Sequence, residues 1–164
     1  NQAEIDIESK DTAESLTKKL FTLGSGLLTK YLNDWVSGSI KPHPQNEALA
    51  TITRKINRAD GEVSWTTSTD NLVRQCRAFT PWPGLYTHWN NKLIKFHEVE
   101  LPKHIPSIKY DPGKVIHLED SELPIGITTG DGVLGIKRLQ IEGKLPTSID
   151  QFILGYPAFI GAEL

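Results

Sequence analysis

The stretch Cys76-Arg77-Ala78-Phe79-Thr80-Pro81-Trp82-Pro83-Gly84-Leu85-Tyr86 joins a predicted helix to a predicted strand. Upstream, apolar residues recur at helical spacing, so the pattern predicts an amphipathic helix over 68–79 with Ser68 or Thr69 as its N-cap. Pro81 and Pro83 cannot continue this helix because neither has an N–H to donate. The chain therefore turns here and begins an extended segment.

Downstream of the turn, strand-like runs alternate with turn residues. The pair Asn90-Asn91 tolerates the positive φ of a type I′ turn, so the runs on either side of it predict a β-hairpin. A short helix is predicted at 148–154. Together the pattern predicts a mainly β fold with flanking helices, a small OB-like, partly open barrel. Its five predicted strands cover 85–89, 92–99, 113–118, 125–128 and 133–141, with a loop at 101–111.

The first fifty residues are predicted to be organised differently. Alternating apolar and acidic residues predict a half-buried strand over 1–10. Asp11 with Glu14 predicts a capping box, and Gly24-Ser25-Gly26 predicts a break, so that two helices precede Gly38. The polar, proline-containing segment 38–50 predicts an extended linker, and 51–57 a short strand or helical turn. We therefore expect three parts: residues 1–37, a linker over 38–50, and the barrel domain over 51–164.

Composition narrows the class of protein. The chain has 164 residues, a formal net charge of −2 and no Met. No apolar run is long enough to cross a membrane. The N-terminus has neither a signal pattern nor an initiator Met, so we expect a fragment or a processed form. The single cysteine, Cys76, lies on the apolar face of its helix, which favours a buried core thiol over a nucleophile.

The charges are distributed unevenly along the chain. Residues 52–110 contain 9 Lys or Arg against 5 Asp or Glu, whereas the segments on either side are acidic. Such segregation can create a phosphate-attracting surface on an acidic protein, although an excess of this size is also typical of a solvated face.

No motif predicts a catalytic or metal site in this chain. None of the five histidines has metal-ligand spacing, and Gly130-Asp131-Gly132 has neither phosphate-loop pattern, which favours a simple strand connection. His88 and His97 lie on the two hairpin arms and could face one another. A catalytic role for this pair is not favoured. We therefore predict no catalytic residue and no metal.

Five ordered blocks over roughly residues 11–155 give the chain a family resemblance. Arg77-Ala78-Phe79-Thr80-Pro81-Trp82-Pro83 resembles the R-A-F-x-P-W-P signature of the C-terminal domain of methionyl-tRNA formyltransferases. Ser64 departs from the family pattern, which has an acidic residue beside the position of Trp65. The remaining blocks are Asp11-Thr12-Ala13 with Lys19-Leu20 and Gly26-Leu27-Leu28, Gly61-Glu62-Val63-Ser64-Trp65, Thr129-Gly130-Asp131-Gly132-Val133-Leu134, and Leu139-Gln140-Ile141-Glu142-Gly143-Lys144.

The resemblance implies a parent enzyme that transfers a formyl group from 10-formyltetrahydrofolate to initiator methionyl-tRNA in translation initiation. The family's catalytic N-x-H-x-S-L-L-P motif does not occur in this sequence. Residues 1–37 would then be the tail of the catalytic domain, and we expect this chain to be inactive alone and to hold no cofactor. We expect a monomer that binds initiator methionyl-tRNA, located in mitochondria or, alternatively, in bacterial cytoplasm.

By this resemblance the barrel domain contributes RNA binding, for which cationic side chains contact phosphates and aromatic rings stack on bases. Trp82, Tyr86 and Trp89 are candidates for stacking, although core packing is favoured for Trp82. Trp65 and Trp35 are expected to anchor the core or a domain interface. The candidate RNA-binding residues are Arg54, Lys55, Arg58, Arg74, Arg77, Lys92 and Lys95, with Lys137, Arg138 and Lys144 as a second group.

Two alternatives remain open at this stage. The acidic net charge favours an OB-like module that acts in protein assembly or as a spacer. The same two-domain layout also fits a formyltransferase that acts on another amine, such as a nucleotide sugar.

Overall fold

A computed structural model describes residues 1–104, 111–119 and 122–164. Part of the predicted loop over 101–111 therefore lies outside the described residues. The chain forms two compact units, Asn1–Ile56 and Asn57–Leu164. The division falls after Ile56, whereas the sequence analysis begins the barrel domain at residue 51.

The first unit contains one long helix, α1 (Ala13–Val36), of 24 residues. The predicted break at Gly24-Ser25-Gly26 is wrong: two glycines weaken a helix without ending it, and the Ser25 hydroxyl donates to the Thr22 carbonyl at 2.9 Å. One helix, and not two, therefore precedes Gly38. A short 3₁₀ helix, Glu47–Leu49, follows it.

The start of the first unit also differs from prediction. Residues 1–8 form no strand and are exposed, because alternation alone does not create a strand without a partner to pair with. The N-cap of α1 is Thr12, whose capping box uses Ser15. Asp11, predicted as the cap, accepts hydrogen bonds from the Ser15 hydroxyl at 2.7 Å and from Lys19 Nζ at 3.0 Å. These bonds, and one from the Glu8 backbone, lower the pKa of Asp11 to about 2.

The second unit begins with a 3₁₀ helix, Arg58–Gly61. The strand or turn predicted over 51–57 is wrong, because the helical turn starts only at Arg58. Helix α2 (Thr69–Ala78) confirms the predicted amphipathic helix and buries Leu72 and Cys76. Helix α3 (Ile149–Gly155) confirms the other prediction, with the Ser148 hydroxyl accepting from the Gln151 N–H.

A six-stranded antiparallel sheet, curled into a half-barrel, forms the body of the second unit. The mainly β fold with flanking helices is confirmed, and φ values of 50° at Asn90 and 59° at Asn91 confirm the predicted hairpin turn. The order is β1-β2-β5-β4-β3, with β6 paired to β5. The strands are β1 (Leu85–Trp89), β2 (Lys92–Glu100), β3 (Val115–His117), β4 (Ile125–Thr128), β5 (Val133–Ile141) and the unpredicted two-residue β6 (Thr147–Ser148).

The main core lies on one side of this sheet, which we call the inner face. Side chains of α2 and α3 pack there against Ile94 and Phe96 of β2 and Leu139 of β5. Trp65 is buried, with its ring edge-on to Phe96 at 5.9 Å, which confirms it as a core anchor. Trp35 of α1, in contrast, is 53% exposed and is no core residue.

Candidate nucleic-acid interface

The opposite side of strands β1, β2 and β5 is polar, and we call it the outer face. Ile94 and Phe96 enter the core, so the residues that alternate with them point outward. Tyr86 and Gln140 both lie opposite Lys95 in the strand register. A register irregularity follows Phe96, after which Glu98 lies opposite Arg138. The outer face comprises Tyr86, His88, Leu93, Lys95, His97, Glu98, Glu100, Lys137, Arg138 and Gln140.

Lys95 is held against the turn that precedes β1. Its ammonium donates to the Pro81 carbonyl at 3.1 Å. Gly84 has φ +82°, and a Cβ there would collide with the end of the Lys95 side chain, so glycine lets that side chain cross the turn. The turn is closed by a hydrogen bond from Gly84 N to the Phe79 carbonyl at 2.9 Å. The cation therefore has a defined position beside the turn.

Trp82 lies on this turn and is 58% exposed. The prediction that it packs in the core is wrong: Pro83 and Gly84 are the buried residues of the turn, which leaves the indole on the solvent side. The other two stacking candidates are less accessible. Tyr86 is buried, and Trp89 packs edge-on against Phe159 at 5.2 Å. Trp82 is thus the most exposed of the three.

Two further cations of the outer face contact carboxylates of the neighbouring strand. Lys137 Nζ lies 2.8 Å from Glu100 Oε2, and this bond raises the pKa of the lysine. Arg138 Nη1 lies 3.7 Å from Glu98 Oε1. The two ion pairs bridge β2 and β5.

His97 lies between the cations of the outer face. Its Nε2 is 3.2 Å from Gln140 Oε1. Burial lowers the pKa of His97, and the charges of Lys95 and Arg138 lower it further. His88 does not pair with it, because the register places His88 opposite Leu93. No catalytic arrangement results.

Cys76 of α2 lies in the core on the inner face, with Sγ 3.8 Å from the Phe96 carbonyl. Burial raises the pKa of the thiol to about 11, so it is protonated at neutral pH. The predicted core thiol is confirmed.

The remaining predicted cations are dispersed. Arg54 and Lys55 are exposed in the first unit, and Arg58 is exposed in the 3₁₀ helix that begins the second. Arg74 is exposed on α2 and forms an ion pair with Asp70. Arg77 is half-buried on the same helix.

Lys92 is the exposed first residue of β2 and lies opposite Trp89 in the strand register. Lys144 is exposed in the turn after β5, and its carbonyl accepts from Gln140 Nε2 at 2.7 Å. Of the ten predicted residues, only Lys95, Lys137 and Arg138 belong to the outer face itself. Sequence reasoning missed Glu98 and Glu100, because the pairing of β2 with β5 leaves no local signal.

The described residues contain neither a candidate metal site nor a candidate membrane-spanning helix. In residues 1–104, 111–119 and 122–164, no three His, Cys, Asp or Glu side chains are placed to hold a metal ion. Within the same ranges, no helix has the length and apolarity needed to cross a membrane.

Comparison with known proteins points to one family. Residues 55–157 match the family model described as the formyl transferase, C-terminal domain. The chain is 36% identical to methionyl-tRNA formyltransferase of Halothermothrix orenii over 98% of its own length and 52% of that protein. It is 34% identical to methionyl-tRNA formyltransferase of Bacillus pumilus, over 100% of this chain and 51% of that protein. The chain thus spans about half the length of these relatives.

Solved structures share the fold. HypX from Aquifex aeolicus in complex with tetrahydrofolic acid superposes with a TM-score of 0.57 at 20% identity, over 81% of this chain and 23% of HypX. A multiply substituted variant of HypX gives a TM-score of 0.58 at 20% identity, over 83% and 24% of the two chains.

Proposed function

This chain belongs to the family of formyl transferase C-terminal domains, and we propose that it binds initiator methionyl-tRNA and positions it for formyl transfer in translation initiation. The relatives named above are methionyl-tRNA formyltransferases, and the chain corresponds to their C-terminal portion. In this proposal the complete enzyme, and not this chain alone, carries out the formyl transfer.

The observation that carries the proposal is the position of Lys95 beside Trp82. Nucleic-acid backbones are held by Lys and Arg, and unpaired bases stack on exposed aromatic rings. Lys95 is fixed to the turn that presents the exposed Trp82, while Lys137 and Arg138 extend the cationic side chains along β5. A rigid sheet thus offers a phosphate contact next to a stacking surface.

The formyl donor is proposed to be 10-formyltetrahydrofolate, bound elsewhere in the complete enzyme. HypX, which shares the fold, has been solved with tetrahydrofolic acid. We expect this chain alone to transfer no formyl group and to require no cofactor for RNA binding.

Two narrower expectations belong to the same proposal. We expect the protein to act as a monomer and to be located in mitochondria. The relatives named above are bacterial, so a bacterial cytoplasmic location is the alternative. Size-exclusion chromatography with light scattering and imaging of the tagged protein in its source cells test the two points.

Binding of the 164-residue chain to initiator tRNA, measured by fluorescence anisotropy from roughly 50 to 200 mM salt, tests the proposal. Each phosphate contact contributes about 0.7–0.9 to the slope of log K against log salt, so a slope of roughly −1 is expected if Lys95 alone contacts phosphate and of roughly −2 to −3 if all three cations do. Lys95→Ala is expected to weaken binding and lower the slope by about one contact. Lys18→Ala, which changes an exposed lysine of α1, is the matched control and is expected to bind like the wild type.

Absence of binding at the lowest salt would overturn the proposal and favour the spacer or protein-assembly alternative. Equal affinity for initiator and elongator tRNA would leave RNA binding intact and assign discrimination to the rest of the enzyme.

A further inference from the structure

The two carboxylates of the outer face lie where an RNA phosphate would have to bind. Glu100 contacts Lys137 at 2.8 Å and Glu98 contacts Arg138 at 3.7 Å. All four side chains are partly exposed, from 32% for Lys137 to 57% for Glu98. A polyanion can therefore reach both ion pairs from solvent.

A carboxylate and a phosphate are the same kind of partner for these cations. Both accept charge-assisted hydrogen bonds from ammonium and guanidinium groups. An entering phosphate must share or displace the carboxylate, and it is also repelled by it, since both are negative. The β5 cations are consequently poorer phosphate ligands than their number suggests.

Lys95 differs from the two β5 cations. Its ammonium contacts a backbone carbonyl, and no ion pair within the described part of the chain includes it. The outer face thus presents one cation that has no carboxylate partner among those residues and two that have one.

We propose that Glu98 and Glu100 limit the RNA affinity of the outer face by occupying Arg138 and Lys137. This inference rests on the proposed RNA-binding function. Phosphate contacts carry no sequence information, so the two glutamates reduce binding to any RNA and leave recognition to contacts made elsewhere on the ligand. Specificity gains from such suppression of non-cognate binding.

The test is the double variant Glu98→Gln/Glu100→Gln in the 164-residue chain. Glutamine keeps the size of the side chain and removes its charge. At about 0.1 M salt, each released cation is expected to tighten RNA binding roughly tenfold and to steepen the salt slope by about 0.9. The same gain is expected for initiator tRNA and for an unrelated RNA duplex.

Two controls separate this effect from general changes of charge and fold. Glu163→Gln removes an exposed carboxylate that pairs with Lys114, which is not on the outer face, and is expected to leave affinity unchanged. Lys137→Ala is expected to change binding little in the wild type and to weaken it strongly in the Glu100→Gln background, because the charged Glu100 occupies the lysine in the wild type. Urea unfolding verifies that each variant is folded.

The outcomes distinguish the inference from the function on which it rests. If the wild type binds RNA and the double variant has the same affinity and slope, or binds more weakly, the inference is overturned and the proposed function remains. If neither protein binds at the lowest salt, the proposed function fails and the inference with it. If only the double variant binds, the inference is supported.

Discussion

Asp131 Oδ1 accepts a hydrogen bond from the backbone N–H of Thr69 at 2.8 Å, across 62 residues of chain. Thr69 is the first residue of α2, and Ser68, predicted as a cap, makes no side-chain cap bond. The Thr69 and Thr129 hydroxyls are also hydrogen-bonded, at 2.6 Å. The turn between β4 and β5 therefore caps the helix that carries Arg77, a role beyond the predicted strand connection.

Loss of this cap is expected to destabilise the second unit. Asp131→Ala removes the acceptor for the Thr69 N–H and is expected to lower the free energy of unfolding by about 1 kcal/mol, the usual effect of removing a helix cap. Asp131→Asn keeps an acceptor oxygen and serves as the matched variant, with most of the stability retained. Urea unfolding measures both. Equal losses in the two variants would contradict the capping role.

Local signals were sufficient to predict much of the barrel domain. The Asn90-Asn91 turn, the periodicity of α2 and the Ser148 cap each depend on neighbouring residues, and the structure confirms all three. The wrong break in α1 is also a local matter: the prediction treated glycine, a weak helix former, as a residue that ends a helix.

Other errors concern features that the local pattern does not determine. The alternation in 1–8 predicts a strand only if a neighbouring strand exists, and none pairs with it in the described residues. Trp82 is apolar, yet Pro83 and Gly84 are the buried residues of its turn. Likewise, Glu98 meets Arg138 only because β2 pairs with β5. The sequence predicts Lys95 in one candidate group and Lys137 and Arg138 in another, and it is this strand pairing that puts the three on one face and the latter two beside their carboxylates.

The approach of Gly61 to the turn that carries Trp82 gives a second prediction. A Cβ at Gly61 would collide with the Gly84 carbonyl oxygen and lie 3.2 Å from the Pro83 side chain. Gly61→Ala is expected to destabilise the protein by about 1–3 kcal/mol, as overpacking typically does. Gly155→Ala, where nothing lies within 4 Å, is the control and is expected to be neutral or mildly stabilising. Comparable urea midpoints for the two variants would contradict this packing.

Stability is expected to depend on pH through His97. Burial lowers the pKa of this residue in the folded chain below its ordinary value, so the unfolded chain binds a proton first as the pH falls. Folding stability is therefore full above roughly pH 7 and decreases as the pH falls through about 6.5 towards the folded pKa. His97→Gln removes this proton uptake. Urea unfolding at about pH 7.5 and 5.5 is expected to show a smaller loss in the variant than in the wild type, and an equal loss would exclude His97 as the source.

Trp82 provides the sharpest test of the proposed RNA contact, because its exposure separates binding from folding. Since the indole is 58% exposed, Trp82→Ala is expected to change the urea midpoint little. Loss of one base-stacking contact costs about 1–3 kcal/mol, or roughly five- to 150-fold in Kd for initiator tRNA. Trp82→Phe retains an aromatic ring and is expected to recover part of the affinity. Leu154→Ala, which removes another exposed apolar side chain of the same unit, is expected to have no effect on binding. Unchanged affinity in Trp82→Ala, with Lys95→Ala weakened, would limit the interface to phosphate contacts.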